Sequence, residues 1–194
     1  HMYWIDGNHD NFDDLKARYA FGAKEMQRFS EHVTYIPRGH VWEWDGVKFM
    51  ALGGAYSIDQ DRRTEGKSWW PEELISYKDL DYCASQLDEH PEIDVFLSHD
   101  CPEGVRRLEG FLQLTSQEFG ISYKMDQASR ANRKALLQVV ERARPKLLVH
   151  GHYHWGYTDL LHWGDGNPTT IAGLACDGME RSYTILDTED MKDG

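Results

Sequence analysis

Three short runs of residues in this chain have the types that hold a metal ion or move a proton. They are Gly7-Asn8-His9-Asp10, Ser98-His99-Asp100 and Gly151-His152-Tyr153-His154. Each follows an apolar run: Tyr3-Trp4-Ile5, Ile93 to Leu97, and Leu147 to Val149. Each therefore reads as a loop at the carboxyl end of a buried strand. In open α/β sheets such loops converge on one crevice, where ligands bind. Neutral imidazoles and an amide oxygen are ligands suited to Mn, Fe or Zn. Residues two apart share one side of a strand, and in a turn they can straddle two ions, so His152 and His154 can serve metals about 3.5–4 Å apart. The glycines at 7 and 151 would let the backbone turn sharply beside an ion.

Taken singly, each run has a plainer reading. Asn-His after a strand is usually a turn with an Asn cap. Ser-His-Asp in one run is not a protease triad, whose members come from distant parts of a chain. His150 reads as a strand-end residue behind the site. Arg62, Arg63, Arg106 and Arg107 read as a solvated face, and Trp69-Trp70 as core or interface packing. It is the three runs together, in this order and each after a strand, that specify a site.

The elements needed to position them are legible. Phe12 to Tyr19 reads as a short helix capped by Asn11 or Asp10. His40 to Trp44 and Val47 to Leu52 flank Asp45-Gly46, a hairpin signal. Gly53-Gly54 ends the second of those strands. Pro71-Glu72-Glu73 predicts a helix start, with proline in the first turn and acids at the positive end of the dipole, running to about Leu87. Gln127 to Arg144 predicts a helix burying Ala128, Ala131, Ala135, Leu136, Val139 and Val140 and ended by Pro145. The stretch 104–123 has no clear period. The tail from Trp155 to Thr188 reads as strands joined by turns at Gly164 to Pro168 and at Asp177-Gly178. Helices and strands mix throughout, so the class is α/β or α+β in one domain.

Composition narrows the partners. Thirty-three Asp and Glu against 21 Lys and Arg leave a formal charge of −12, which disfavours long nucleic acid or an anionic membrane but not a small phosphorylated molecule or nucleotide. No apolar run approaches the ~18 residues that span a bilayer. Cys83, Cys101 and Cys176 are few, odd in number and widely spaced. They read as buried small hydrophobes in a cytoplasmic protein. His1-Met2 reads as a tag remnant and start residue without functional weight.

The three motifs resemble those of the calcineurin-like metallophosphoesterase family: Gly-Asn-His-Asp/Glu at 7–10, a single His after a strand at 99, and Gly-His-x-His at 151–154. The resemblance implies a two-layer β-sandwich flanked by helices and hydrolysis of phosphomonoesters or phosphodiesters by a metal-activated water. It implies that Asn8, His99 and His152 share one divalent transition metal and that His154 serves a second. It implies that His9 contacts the phosphate and protonates the leaving oxygen, while Asp10 orients the His9 ring.

One departure matters. The family carries Asp-x-His and Gly-Asp-x-x-Asp ahead of Gly-Asn-His, and six residues precede Gly7 here. Asp88-Glu89-His90 does not substitute, because it ends a helix before Pro91. Gly164-Asp165-Gly166 lacks the second acid. Without these carboxylates two dications would be largely uncompensated. The expectation is therefore an N-terminally truncated domain with one weakly bound ion or none, and impaired or absent activity. The alternative is a non-catalytic relic that acts by protein contact. Loss of the neighbouring strands also predicts an open edge at residues 2–6 and a homo-oligomer formed through it.

Overall fold

The computed structural model describes residues 1–192 apart from 20, 117 and 119, with only the backbone of residue 19. Nine strands and five helices follow in order: β1 (Met2–Trp4), α1 (Phe12–Tyr19), β2 (Gln27–Arg28), β3 (Val33–Tyr35), β4 (Val41–Trp44), β5 (Val47–Leu52), α2 (Tyr77–Glu89), β6 (Val95–Ser98), α3 (Arg106–Thr115), α4 (Tyr123–Ala143), β7 (Leu147–His150), β8 (Tyr157–Leu161), β9 (Thr169–Gly173) and α5 (Glu189–Lys192). They form a six-stranded sheet in the order β4-β5-β6-β7-β9-β8 and a three-stranded sheet in the order β1-β3-β2. This is the mixed α/β architecture that the sequence predicted.

Side-chain alternation on β5 shows how the large sheet is sandwiched. Val47, Phe49 and Ala51 enter a core with Trp42, Ile36 and Val95, against which Ile5 and Met26 also pack. Met50 and Leu52 point the other way, into a core with Cys83 and Leu87 of α2 and Leu136, Val139 and Val140 of α4. A period of two lets one strand feed both layers. Between β4 and β5, Asp45 and Gly46 have φ of 52° and 79°, the double left-handed turn that closes a two-residue hairpin.

β5, β6 and β7 are adjacent and parallel, with Leu52 beside Ser98 and Ser98 beside His150. Their carboxyl ends are therefore level, and the loops beginning at Gly53, His99 and Gly151 leave the sheet side by side. This register is the geometric basis of the site.

Several expectations need correction. Pro71–Glu73 is a single 3₁₀ turn. The helix begins at Tyr77, where Ser76 and Asp79 form a reciprocal capping box that satisfies two backbone donors. α4 begins at Tyr123, four residues early, because Ser122 accepts from the Met125 N–H as N-cap. Its inner face also differs, since Asn132 and Arg133 are buried while Ala131 is exposed. The 104–123 stretch contains α3, with residues 117 and 119 outside the described residues. Among the described residues no strand follows β9. No helix among them is long and apolar enough to cross a membrane.

β1 is not the buried strand expected at residues 3–5. Among the described residues it pairs, in parallel, with β3 alone, and Met2 is 61% and Tyr3 40% exposed. Met2 N–H donates to His32 O, and Trp4 O accepts from Ile36 N–H. Parallel pairing uses alternate residues, so the Tyr3 N–H and C=O face away from β3, along an open edge. We propose that a second copy of this 194-residue chain pairs there. Sedimentation at tens of micromolar should show a dimer that Tyr3→Pro dissociates, because proline removes a donor that β3 does not use. A monomer at that concentration would contradict the pairing.

Candidate metal centre

The loop after β1 is fixed before its functional residues begin. Asp6 is fully buried. Its carboxylate accepts from Tyr35 OH at 2.8 Å and from Arg38 Nε and Nη2 at 2.9 and 2.6 Å. Its carbonyl accepts from Gly54 N–H at 2.9 Å. The last bond joins the β1 loop to the end of β5. Gly53 has to be glycine there, since a Cβ would lie 2.5 Å from Asp6 O.

Gly7 N–H then donates to Asp10 Oδ2 at 2.6 Å, which closes the loop. The need for glycine at 7 is also one of space: a Cβ would meet the His99 ring at 2.9 Å. Asn8 is buried. Its Oδ1 accepts from His99 Nε2 at 2.9 Å, and its Nδ2 donates to Ser57 Oγ at 2.9 Å and to His9 Nε2 at 3.3 Å. Neutral His9 therefore carries its proton on Nδ1. His9 is exposed. Asp10 was expected to hold the His9 ring. Among the described residues its hydrogen bond is to Gly7, and it shapes the loop instead.

The His99 and His152 rings are 5.2 Å apart. His152 and His154 themselves make the turn after β7, with φ of 67° and 54°. Gly151 was expected to make it but has no left-handed backbone. Histidine is among the residues that adopt this region more readily. Strain of this kind persists where surroundings enforce it, often at functional sites. Tyr153, between the two, reaches back: its OH donates to Asp100 Oδ1 at 2.6 Å. Asp100 also accepts from Cys101 N–H at 2.8 Å and from Asn132 Nδ2 at 2.8 Å. One buried carboxylate thus ties the loops after β6 and β7 to α4. His150 is buried behind them, with Nε2 2.8 Å from Tyr157 OH. His154 is exposed.

Burial sets the protonation of this cluster. It pushes His99 down to about 4, His150 to about 4 and His152 to about 3, with neighbouring imidazoles adding to the effect at His99 and His152. Burial also raises Asp10 and Glu73 above the usual carboxylate range. A neutral ring keeps one lone pair; on His99 it lies on Nδ1 while Nε2 donates to Asn8 Oδ1, so ligation through Nε2 would need that proton moved to Nδ1.

Two ligands at right angles and roughly 2.1 Å from a metal are about 3.0 Å apart, and Asn8 Oδ1 and His99 Nε2 are 2.9 Å apart. Asp6, Asp10 and Asp100 are engaged as described, and Glu73 accepts from Ser57 and Gln60. Among the described residues, no three His, Cys, Asp or Glu side chains form a metal-sized group.

The sequence did not point to Asp6, Arg38, Ser57, Glu73 or Asn132. Only Asn132 left a trace there, as a polar residue in step with Ala128 and Leu136 on the apolar face of α4.

Depressed histidine pKa values mean that the fold favours the neutral rings. Their contribution to stability is full above the ordinary value of 6.5 and is lost as pH falls toward 4. In NMR titration of the metal-free protein, the ring signals of His99, His150 and His152 should stay constant between pH 7.5 and 5.5. Movement of these signals with a midpoint near 6.5 would show that the rings are not buried as described.

Two comparisons bear on this geometry. A family model described as calcineurin-like phosphoesterase matches residues 1–156. A lariat debranching enzyme of Entamoeba histolytica is 26% identical over 190 residues, covering 95% of this chain and 49% of the relative. The chain thus spans about half the length of that relative. The matched region contains all three histidine-bearing loops, level at the ends of β6 and β7 and against the loop after β1, and the chain belongs to the calcineurin-like phosphoesterase family.

Proposed function

We propose that this chain is a metal-dependent phosphoesterase working with a single, weakly held divalent ion on Asn8, His99 and His152. The observation that carries the reading is the 2.9 Å approach of Asn8 Oδ1 to His99 Nε2, with the His152 ring beside it. Mn, Fe or Zn suits an amide oxygen and two imidazoles. Such an ion supplies polarised phosphoryl oxygens and an acidified water.

The chain's own residues supply the rest. His9 stands exposed, and its Nδ1–H, with Nε2 taken by Asn8, would hydrogen-bond the phosphate and the leaving oxygen. Asn8 holds the other ring nitrogen. Asp10 keeps the loop closed through Gly7. His154 extends the site outward from His152. A charge of −12 favours a small phosphorylated molecule or nucleotide over a long polyanion. Three free cysteines support a cytoplasmic setting.

A second reading, a non-catalytic member that acts by protein contact, is supported by the nearby carboxylates being engaged in hydrogen bonds that hold the loops. Turnover of an aryl phosphodiester with added Mn²⁺ separates the two. The catalytic reading expects slow hydrolysis and fewer than two retained ions per chain. His99→Ala should abolish it. His9→Ala should slow it by about 10²- to 10⁴-fold while Mn²⁺ binding persists. Mn²⁺ binding without turnover would move the assignment to the second reading. Turnover indifferent to His99→Ala would place the chemistry elsewhere.

A further inference from the structure

An amide side chain offers an oxygen on one side and an NH₂ on the other, and only the oxygen can ligate a cation. What decides which end of Asn8 faces His99 is a matter of proton accounting. Ser57 Oγ has one proton and two lone pairs. At 2.7 Å it donates that proton to Glu73 Oε2. Its contact with Asn8, 2.9 Å long, must then be served by a donor on Asn8, which is Nδ2. The oxygen is left toward His99 Nε2, 2.9 Å away.

Glu73 is held in the accepting role. It is fully buried, and its other oxygen accepts from Ser57 N–H at 2.9 Å and Gln60 Nε2 at 2.6 Å. All three partners are donors. The turn that carries it is gripped by Arg38, whose Nη1 donates to Leu74 O at 2.8 Å and Nη2 to Glu72 O at 2.9 Å. Among the described residues Glu73 makes no hydrogen bond to Asn8 or to a histidine, and a buried carboxylate beside a glycine-ended strand needs some reason to be there.

We propose that Ser57 and Glu73 are positioning residues that set the Asn8 amide with its oxygen toward the His99 side of the crevice. The inference builds on the metal reading above, but the amide orientation can be measured without any metal. It also fixes the tautomer of His9, because the second Nδ2 proton goes to His9 Nε2.

Glu73→Gln is the discriminating variant, since it keeps the shape and reverses the proton order. The new NH₂ donates to Ser57 Oγ, which frees the Ser57 proton for Asn8, and an Asn8 amide that accepts it is turned over. In the metal-free wild type, the Asn8 NH₂ protons should show nuclear Overhauser contacts to Ser57 Hβ. In Glu73→Gln those contacts should shift to the His99 ring. Mn²⁺ affinity, read by electron paramagnetic resonance, should fall about 10- to 100-fold, the usual cost of losing an outer partner of a ligand. Ser57→Ala, which removes only the acceptor, should leave the amide in both orientations and weaken Mn²⁺ less.

Wild-type contacts from the Asn8 NH₂ to the His99 ring would overturn the proposal. So would a Glu73→Gln protein with unchanged contacts and unchanged Mn²⁺ affinity. If the wild type binds no Mn²⁺, the metal reading fails, while the amide contacts still decide the orientation.

Discussion

The buried ion pair between Asp6 and Arg38 is the constraint on which the rest of the site depends. Asp6 is the last residue before the Gly-Asn-His loop, and both of its carboxylate oxygens are taken by Tyr35 and Arg38. Arg38 in turn donates to the carbonyls of residues 72–74 and to Asp79 of the α2 capping box. The pair therefore joins the three-stranded sheet, the Glu73 turn and the start of α2. A buried pair adds little net stability, yet removing one partner strands a charge and costs about 3–5 kcal/mol. Its worth here is positional: it holds together backbone segments that share no strand pairing.

A second buried carboxylate does the same on the other side. Asp100 accepts from Tyr153, Asn132 and Cys101, so the turn carrying His152 cannot move independently of His99. The level ends of β6 and β7 bring the two histidines near each other. The Tyr153 bond fixes how near. Between these anchors, Asn8 is the member that spans the two sheets, bonded to His99 on one side and Ser57 on the other.

The frame of this arrangement was readable from residue types. The strand–loop junctions at 99 and 151, the Asp45-Gly46 hairpin and α1 rest on local chemistry and agree with the structure, whereas the strand before Gly7 is exposed. Some differences arise where tertiary contact overrides a local signal, and others where a local cap outcompetes the expected start. Pro71-Glu72-Glu73 has helix-start chemistry, but Glu73 is drawn inward to Ser57, and Ser76 makes the better cap. The apolar periodicity of α4 pointed to Ala131, yet Asn132 and Arg133 are inside because Asp100, Cys101 O and Glu109 give them partners. Glycine at 151 suggested the sharp turn, and the histidines after it took the left-handed backbone. The partners Ser57 and Glu73 lie dozens of residues from Asn8, and no period or spacing links them to it.

Crystals equilibrated with Mn²⁺ and measured at its absorption edge test the central claim most directly. The account predicts one anomalous peak per chain, within ligand distance of Asn8 Oδ1, His99 Nε2 and a ring nitrogen of His152. Two peaks of comparable height, or a single peak away from Asn8, would contradict it.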